Sequence, residues 1–116
     1  MSVLRIVPNL TTGDPSAAKT FYADVLGLEP VMDLGWIATL ADADRPSVQL
    51  SLITSDATGP VNPDVSVQVD DVDTAYAAAV ARGAEIVHPL TDEPWGVRRF
   101  FVRAPDGQVI NVLSHG

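Results

Sequence analysis

The sequence predicts an α+β protein built from two βαβββ modules, whose mixed sheets curve around a cleft. Three observations point there. The order strand, helix, three strands occurs twice within 116 residues. Each helix opens on an aspartate, Asp14 and Asp71, and closes on a glycine, Gly27 and Gly83. A turn-rich stretch, "SDATGPVNP" at 55–63, separates the two halves.

Taken in order, "VLRIVPN" (3–9) is an apolar run of strand length. Asp14 then serves as N-cap with Pro15 in the first helical position, where its missing N–H costs nothing. Ala18, Phe21, Tyr22 and Val25 recur on one helical face. Three strands follow near 28–33, 35–41 and 47–54, with turns at Leu34-Gly35 and "ADADRP". After the linker, "DVSVQVD" is the next strand. In the second helix Val72, Ala75, Tyr76, Ala79 and Val80 make the apolar stripe. The last three strands fall near 85–90, 97–103 and 108–114. The modules therefore span about 1–54 and 64–116 of a single domain. Sequence identity between them is low, so the repeat is one of pattern. A four-stranded sheet with a helix on one face leaves the other face for a partner sheet or a ligand.

Bulk properties exclude several functions. A net charge of −8 repels phosphate backbones and anionic membranes, so neither nucleic acid nor membrane is an expected partner. The chain has no cysteine, which removes thiolate nucleophiles and thiolate metal sites. No apolar run approaches the roughly 20 residues of a membrane span, and the N-terminus lacks the long apolar region of a signal peptide. A cytoplasmic protein is expected.

Side-chain alternation selects the residues that face the cleft. In "DVSVQVD", Val65, Val67 and Val69 go beneath the second helix, leaving Asp64, Ser66 and Gln68 inward. In "SVQLSLIT", Val48, Leu50 and Leu52 go outward, with Gln49 and Ser51 inward. A four-residue loop at Ala104–Gly107 would set Val102 opposite Val109, Phe100 opposite Asn111 and Arg98 opposite Leu113. Phe101, Ile110 and Val112 would then lie under the helix. The candidate ligand-binding set is Val7, Asn9, Trp36, Gln49, Ser51, Asp64, Ser66, Trp95, Arg98, Phe100 and Asn111. Trp36, Trp95 and Phe100 can stack on a flat molecule, and Arg98 can pair with a carboxylate. The two tryptophans are equally suited to a dimer interface or core rim, and Arg98 to a surface ion pair. His88 and His115 are expected at the surface or loosely packed.

Three segments carry a family resemblance. "TGDPSAAKTFYADVLGLEP", "VSVQVDDVDTAYAAAVARGAEIV" and "WGVRRFFVRAPDGQVINVL" resemble, in order, the opening, second-module start and final hairpin of the vicinal-oxygen-chelate superfamily. That superfamily holds glyoxalase I, extradiol dioxygenases, fosfomycin-resistance enzymes and bleomycin-resistance proteins. Ala104 departs from the aspartate usual before "PDG". The resemblance implies four inward positions that carry His or Glu ligands in metal-dependent members. They fall here on Val7, on Gln49 or Ser51, on Asp64 and on Asn111. Valine has no donor atom and only Asp64 supplies a carboxylate, whereas a transition metal wants three or more imidazole or carboxylate ligands. No metal and no other cofactor is therefore expected. Asp64 is a candidate general base, with a solvated strand end as the plainer role.

The expected function is a metal-free small-molecule binder of the bleomycin-resistance-like branch, a homodimer that sequesters an antibiotic or other flat organic ligand. A lyase, isomerase or dioxygenase of the same superfamily with atypical ligands is the alternative. An interaction module, with the cleft as partner surface, is a third.

Overall fold

A computed structural model describes residues 1–115. Ten elements follow one another: β1 (Val3–Thr11), α1 (Pro15–Leu26), β2 (Glu29–Asp33), β3 (Ile37–Ala41), β4 (Gln49–Ile53), β5 (Val65–Val69), α2 (Val72–Arg82), β6 (Ile86–Asp92), β7 (Val97–Arg103) and β8 (Val109–His115). The α+β class and the doubled βαβββ order match the expectation. The helix ends are those read from the sequence. Asp14 accepts a hydrogen bond from the Ala17 N–H at 3.0 Å, and Asp71 accepts one from Thr74 N–H at 3.1 Å. Gly27 and Gly83 close the helices at φ of 68° and 76°, in left-handed conformations that side chains resist.

The chain forms two compact units, Val7–Asn62 and the chain from Pro63 together with Met1–Ile6. In the first, the strand order is β2-β3-β4-β1. Its β1 and β4 run parallel, with Asn9 beside Ser51, while Thr39 of β3 lies opposite Ser51 across an antiparallel pair. Residues 55–62 of the turn-rich stretch belong to this unit. Asp56 accepts from the Thr58 and Gly59 N–H groups at 3.2 and 2.8 Å, and its own N–H donates to Asn62 at 2.7 Å. Helix α1 buries no residue fully. Phe21 and Val25, on its apolar face, are 55% and 60% exposed.

In the second unit the order is β5-β8-β7-β6, with β5 and β8 parallel. The N-terminus is fastened to it, since Ser2 N–H donates to the Asp70 carboxylate at 2.7 Å. Val69, Val72 and Phe100 form the core beneath α2, joined by Val67, Ala75, Tyr76, Ala79 and Val112. The Tyr76 ring meets Phe100 edge-on at 5.0 Å. Val80, expected in the stripe, is 54% exposed.

One register differs from the expectation, and it matters. The loop between β7 and β8 has five residues, not four. Ala104 N–H donates to Gln108 C=O, Gly107 N–H donates to Ala104 C=O, and Gly107 stands at φ 97°. A turn followed by a left-handed glycine adds one residue to a hairpin loop. Phe101 therefore lies opposite Asn111, Phe100 opposite Val112 and Arg98 opposite Ser114. A slip of one residue turns every β7 side chain to the other face. Phe100 and Arg98 thus leave the Asn111 face, and Phe101 and Arg99 take their places.

Candidate functional site

The unit that carries β5–β8 gathers the chemistry. Register aligns Ser66, Asn111, Phe101 and His88 in one row across β5, β8, β7 and β6. Neighbours in such a row share a face. Val65, Val67 and Val69 alternate with Ser66 onto the helix side, as the pattern predicted. His88 joins the row because β6 is irregular. Ile86 pairs with Val102 but His88 pairs with Phe101, so an extra residue intervenes and re-aims the imidazole.

Asn111 is 7% exposed, and its amide N–H donates to Ser66 Oγ at 3.0 Å. Its Oδ1 is buried and has no hydrogen-bond partner among the described residues. Turning the amide over exchanges the two atoms but still leaves one of them without a bond. At the other end His88 is buried, 9% exposed, with its ring 5.1 Å from that of Phe101. The expectation of a surface histidine is thereby corrected, whereas His115 is exposed.

The adjoining row carries Arg99, which lies opposite Thr91 and Leu113. The β6–β7 loop folds Glu93 back over it, closed by hydrogen bonds from Glu93 N–H to Val97 C=O and from Gly96 N–H to Glu93 C=O. Arg99 Nε donates to Glu93 Oε2 at 2.6 Å, with both side chains almost wholly buried. The guanidinium lies 4.9 Å from the Trp95 ring and 4.7 Å from the Phe101 ring. Two buried charges survive because each neutralises the other and the rings cover the guanidinium. His88 Nε2 stands 3.5 Å from the same Glu93 oxygen. Sequence reading missed Arg99 and Phe101 because of the β7–β8 loop length, Glu93 because it lies in the β6–β7 loop beyond the alternation, and His88 because alternation cannot show a bulge.

The remaining candidates are distributed as follows. Arg98 lies on the helix side, where Asp73 and Asp92 bind it at 2.9 and 3.1 Å. These two carboxylates, chiefly through the hydrogen bonds that Asp73 and then Asp92 accept from it, raise its pKa. It is a surface ion-pair residue, on the face opposite to Asn111. Phe100 is a core residue beneath α2 and is no longer a candidate. Asp64 is exposed, and its carboxylate accepts the Val109 N–H at 2.8 Å, tying β5 to β8.

In the Val7–Asn62 unit, Val7 and Asn9 are buried. Ser51 and Thr39 share a buried hydroxyl–hydroxyl bond of 2.8 Å. Gln49 turns its amide back onto the Pro46 C=O at 2.7 Å. Trp36 is half-buried, and its C=O accepts both the N–H and the hydroxyl of Thr54.

The sequence matches the Glyoxalase/Bleomycin resistance protein/Dioxygenase superfamily over residues 3–112. The chain belongs to this superfamily. No curated protein matches it. Among solved structures, it is similar to a superfamily member from Vibrio splendidus (22% identity, TM-score 0.70, covering 97% of this chain and 99% of that one). A protein from Methanosarcina mazei is 25% identical, with TM-score 0.68 and coverage of 100% and 95%. A methylmalonyl-CoA epimerase from Streptomyces coelicolor is 19% identical, with TM-score 0.72 and coverage of 99% of both chains.

The metal common in this superfamily does not fit the residues present. The position on β8 is an amide already bonded to Ser66, and the one carboxylate, Asp64, is taken up by a backbone N–H. Val7 offers no donor. Among the described residues no three His, Asp or Glu side chains gather as metal ligands. No helix among them is long and apolar enough to cross a membrane.

Proposed function

We propose that this superfamily member binds a small, flat, partly polar organic molecule without a metal, in the manner of a sequestering protein. One observation carries the reading: the Asn111 amide is buried, pinned by Ser66 through one atom, and left without a hydrogen bond at the other. A buried polar atom without a partner costs about 1–3 kcal/mol, which a ligand hydrogen bond recovers. The neutral amide also stands where a metal-dependent relative needs a charged or imidazole donor, so it suits an organic ligand better than a cation.

The test is a thermal-shift screen of aromatic acids, glycopeptides and other antibiotics, followed by calorimetric titration of each hit. Asn111→Ala should weaken a hit by about 5- to 100-fold, matching the loss of one buried hydrogen bond. Tightly held stoichiometric Fe, Ni, Zn or Mn in the purified protein would overturn the metal-free reading. Hits that bind Asn111→Ala as well as wild type would remove the site.

A further inference from the structure

His88 stands at the far end of the row that Asn111 begins, and nothing in the proposed binding role has used it. Its Nε2 is buried and, like Asn111 Oδ1, has no hydrogen-bond partner among the described residues. Glu93 Oε2 stands 3.5 Å from it and is already bound by Arg99 Nε at 2.6 Å. A bare imidazole lone pair facing a carboxylate oxygen is repulsive, so the proton belongs on Nε2. At 3.5 Å the Glu93 oxygen lies beyond the usual hydrogen-bond range, which leaves a donor without a hydrogen-bonded acceptor at one end of the row. At the other end Asn111, in the orientation that donates to Ser66, holds an acceptor without a donor.

We propose that His88 Nε2–H is the second anchor of the ligand, and that it takes a carbonyl or carboxylate oxygen. This rests on the Asn111 reading and adds the chemistry of the ligand's other end. His88 and Asn111 lie on strands two apart, a backbone separation of about 10 Å. The matching molecule carries a hydrogen-bond donor at one end, an acceptor oxygen at the other, and a body about two fused rings long. Between the anchors lie the Phe101 ring and the Arg99 guanidinium in contact with it, flat groups that favour a planar body. Arg99 and Glu93 cancel in charge beside His88, so the subsite selects an acceptor oxygen more than it selects an anion.

Three probes separate the parts: 6-hydroxy-2-naphthoate, 6-hydroxy-2-naphthamide and 2-naphthol. The first two carry both groups, and the third lacks the acceptor end. Calorimetric titration should show that His88→Phe, which keeps a ring against Phe101, weakens the naphthoate or the naphthamide about tenfold, the equivalent of one hydrogen bond. The affinity of 2-naphthol should change less than about twofold. Whichever of the first two is favoured identifies the oxygen as carboxylate or carbonyl. His88→Gln, which restores an N–H donor, should recover part of the loss and serves if the phenylalanine variant folds poorly. Equal losses for all three probes, no loss for any, or no binding of either two-ended probe at millimolar concentration would overturn the assignment of His88. If His88→Phe acts as expected while Asn111→Ala changes nothing, the reading of Asn111 fails and that of His88 stands.

Discussion

The two units of the chain share a frame and differ in what fills it. Ser51 has Asn9 on one side and Thr39 on the other; Asn111 has Ser66 and Phe101. By the same registers Ala38 matches Phe100, Leu52 matches Val112, and Met32 matches His88. Strand order and the Asp and Gly positions that cap the helices repeat. In the Val7–Asn62 unit the small hydroxyls of Thr39 and Ser51 bond to one another. In its counterpart a large ring, an amide and an imidazole stand in the row, and a buried ion pair lies beside it. A frame set by caps and turns constrains the chemistry on its open face very little, so a handful of positions decides what each copy can do.

The largest test of that contrast is Phe100→Ala, which gives the second unit the small residue that the first has at Ala38. Phe100 is 1% exposed and packs on Tyr76 and Val72. The substitution should cost about 3–5 kcal/mol in urea unfolding. Hydrogen exchange should show α2 loosened while α1, which buries no residue fully, is little changed. A loss below about 1.5 kcal/mol would mean that α2 is seated no more firmly than α1.

A second pair of effects compares the polar interiors. Glu93→Ala leaves Arg99 charged and buried, and should cost about 3–5 kcal/mol. Replacing both partners, with Glu93→Leu and Arg99→Met, should recover most of it, because two desolvated charges are removed together. Ser51→Ala takes one hydroxyl from a neutral pair and should cost only about 1–3 kcal/mol. Equal losses from Glu93→Ala and Ser51→Ala would erase the distinction between a charged and a neutral row.

The frame was legible in the sequence because its signals are local. Asp14-Pro15, Asp71, Gly27 and Gly83 act within a turn of themselves, and the valines of β5 alternate without interruption. The site was legible only where a strand is regular: Ser66 and Asn111 were placed correctly, on two strands that pair in parallel without a bulge. Phe100 and Arg98 were misplaced by one residue of loop. Gln108 adds a fifth residue to what reads as a four-residue turn, Ala104–Gly107, and the signal was present in Gly107, whose left-handed φ calls for the longer loop. His88 was hidden by the irregularity of β6. Pro89 beside it, a residue that cannot donate to a ladder, was the available hint.

The smallest effect concerns the two helix caps, where the frames themselves diverge. Asp14 receives the Ala17 N–H, while Asp71 receives both the N–H of Thr74 and its hydroxyl, the latter at 2.6 Å. The hydroxyl bond, followed by the N–H bond, holds the Asp71 carboxyl below its ordinary value of 3.8. A depressed carboxyl stabilises the fold fully above that ordinary value, and the contribution disappears as pH falls through the lowered one. NMR titration should therefore find Asp71 protonating below pH 3.8, and Thr74→Val should bring the midpoint upward by removing the stronger bond. Asp71→Asn keeps a capping oxygen but cannot titrate, so its melting temperature should converge on that of the wild type as the solution is acidified through this range. An Asp71 midpoint at or above 3.8, or one that Thr74→Val leaves in place, would show that the hydroxyl does not distinguish the second cap from the first.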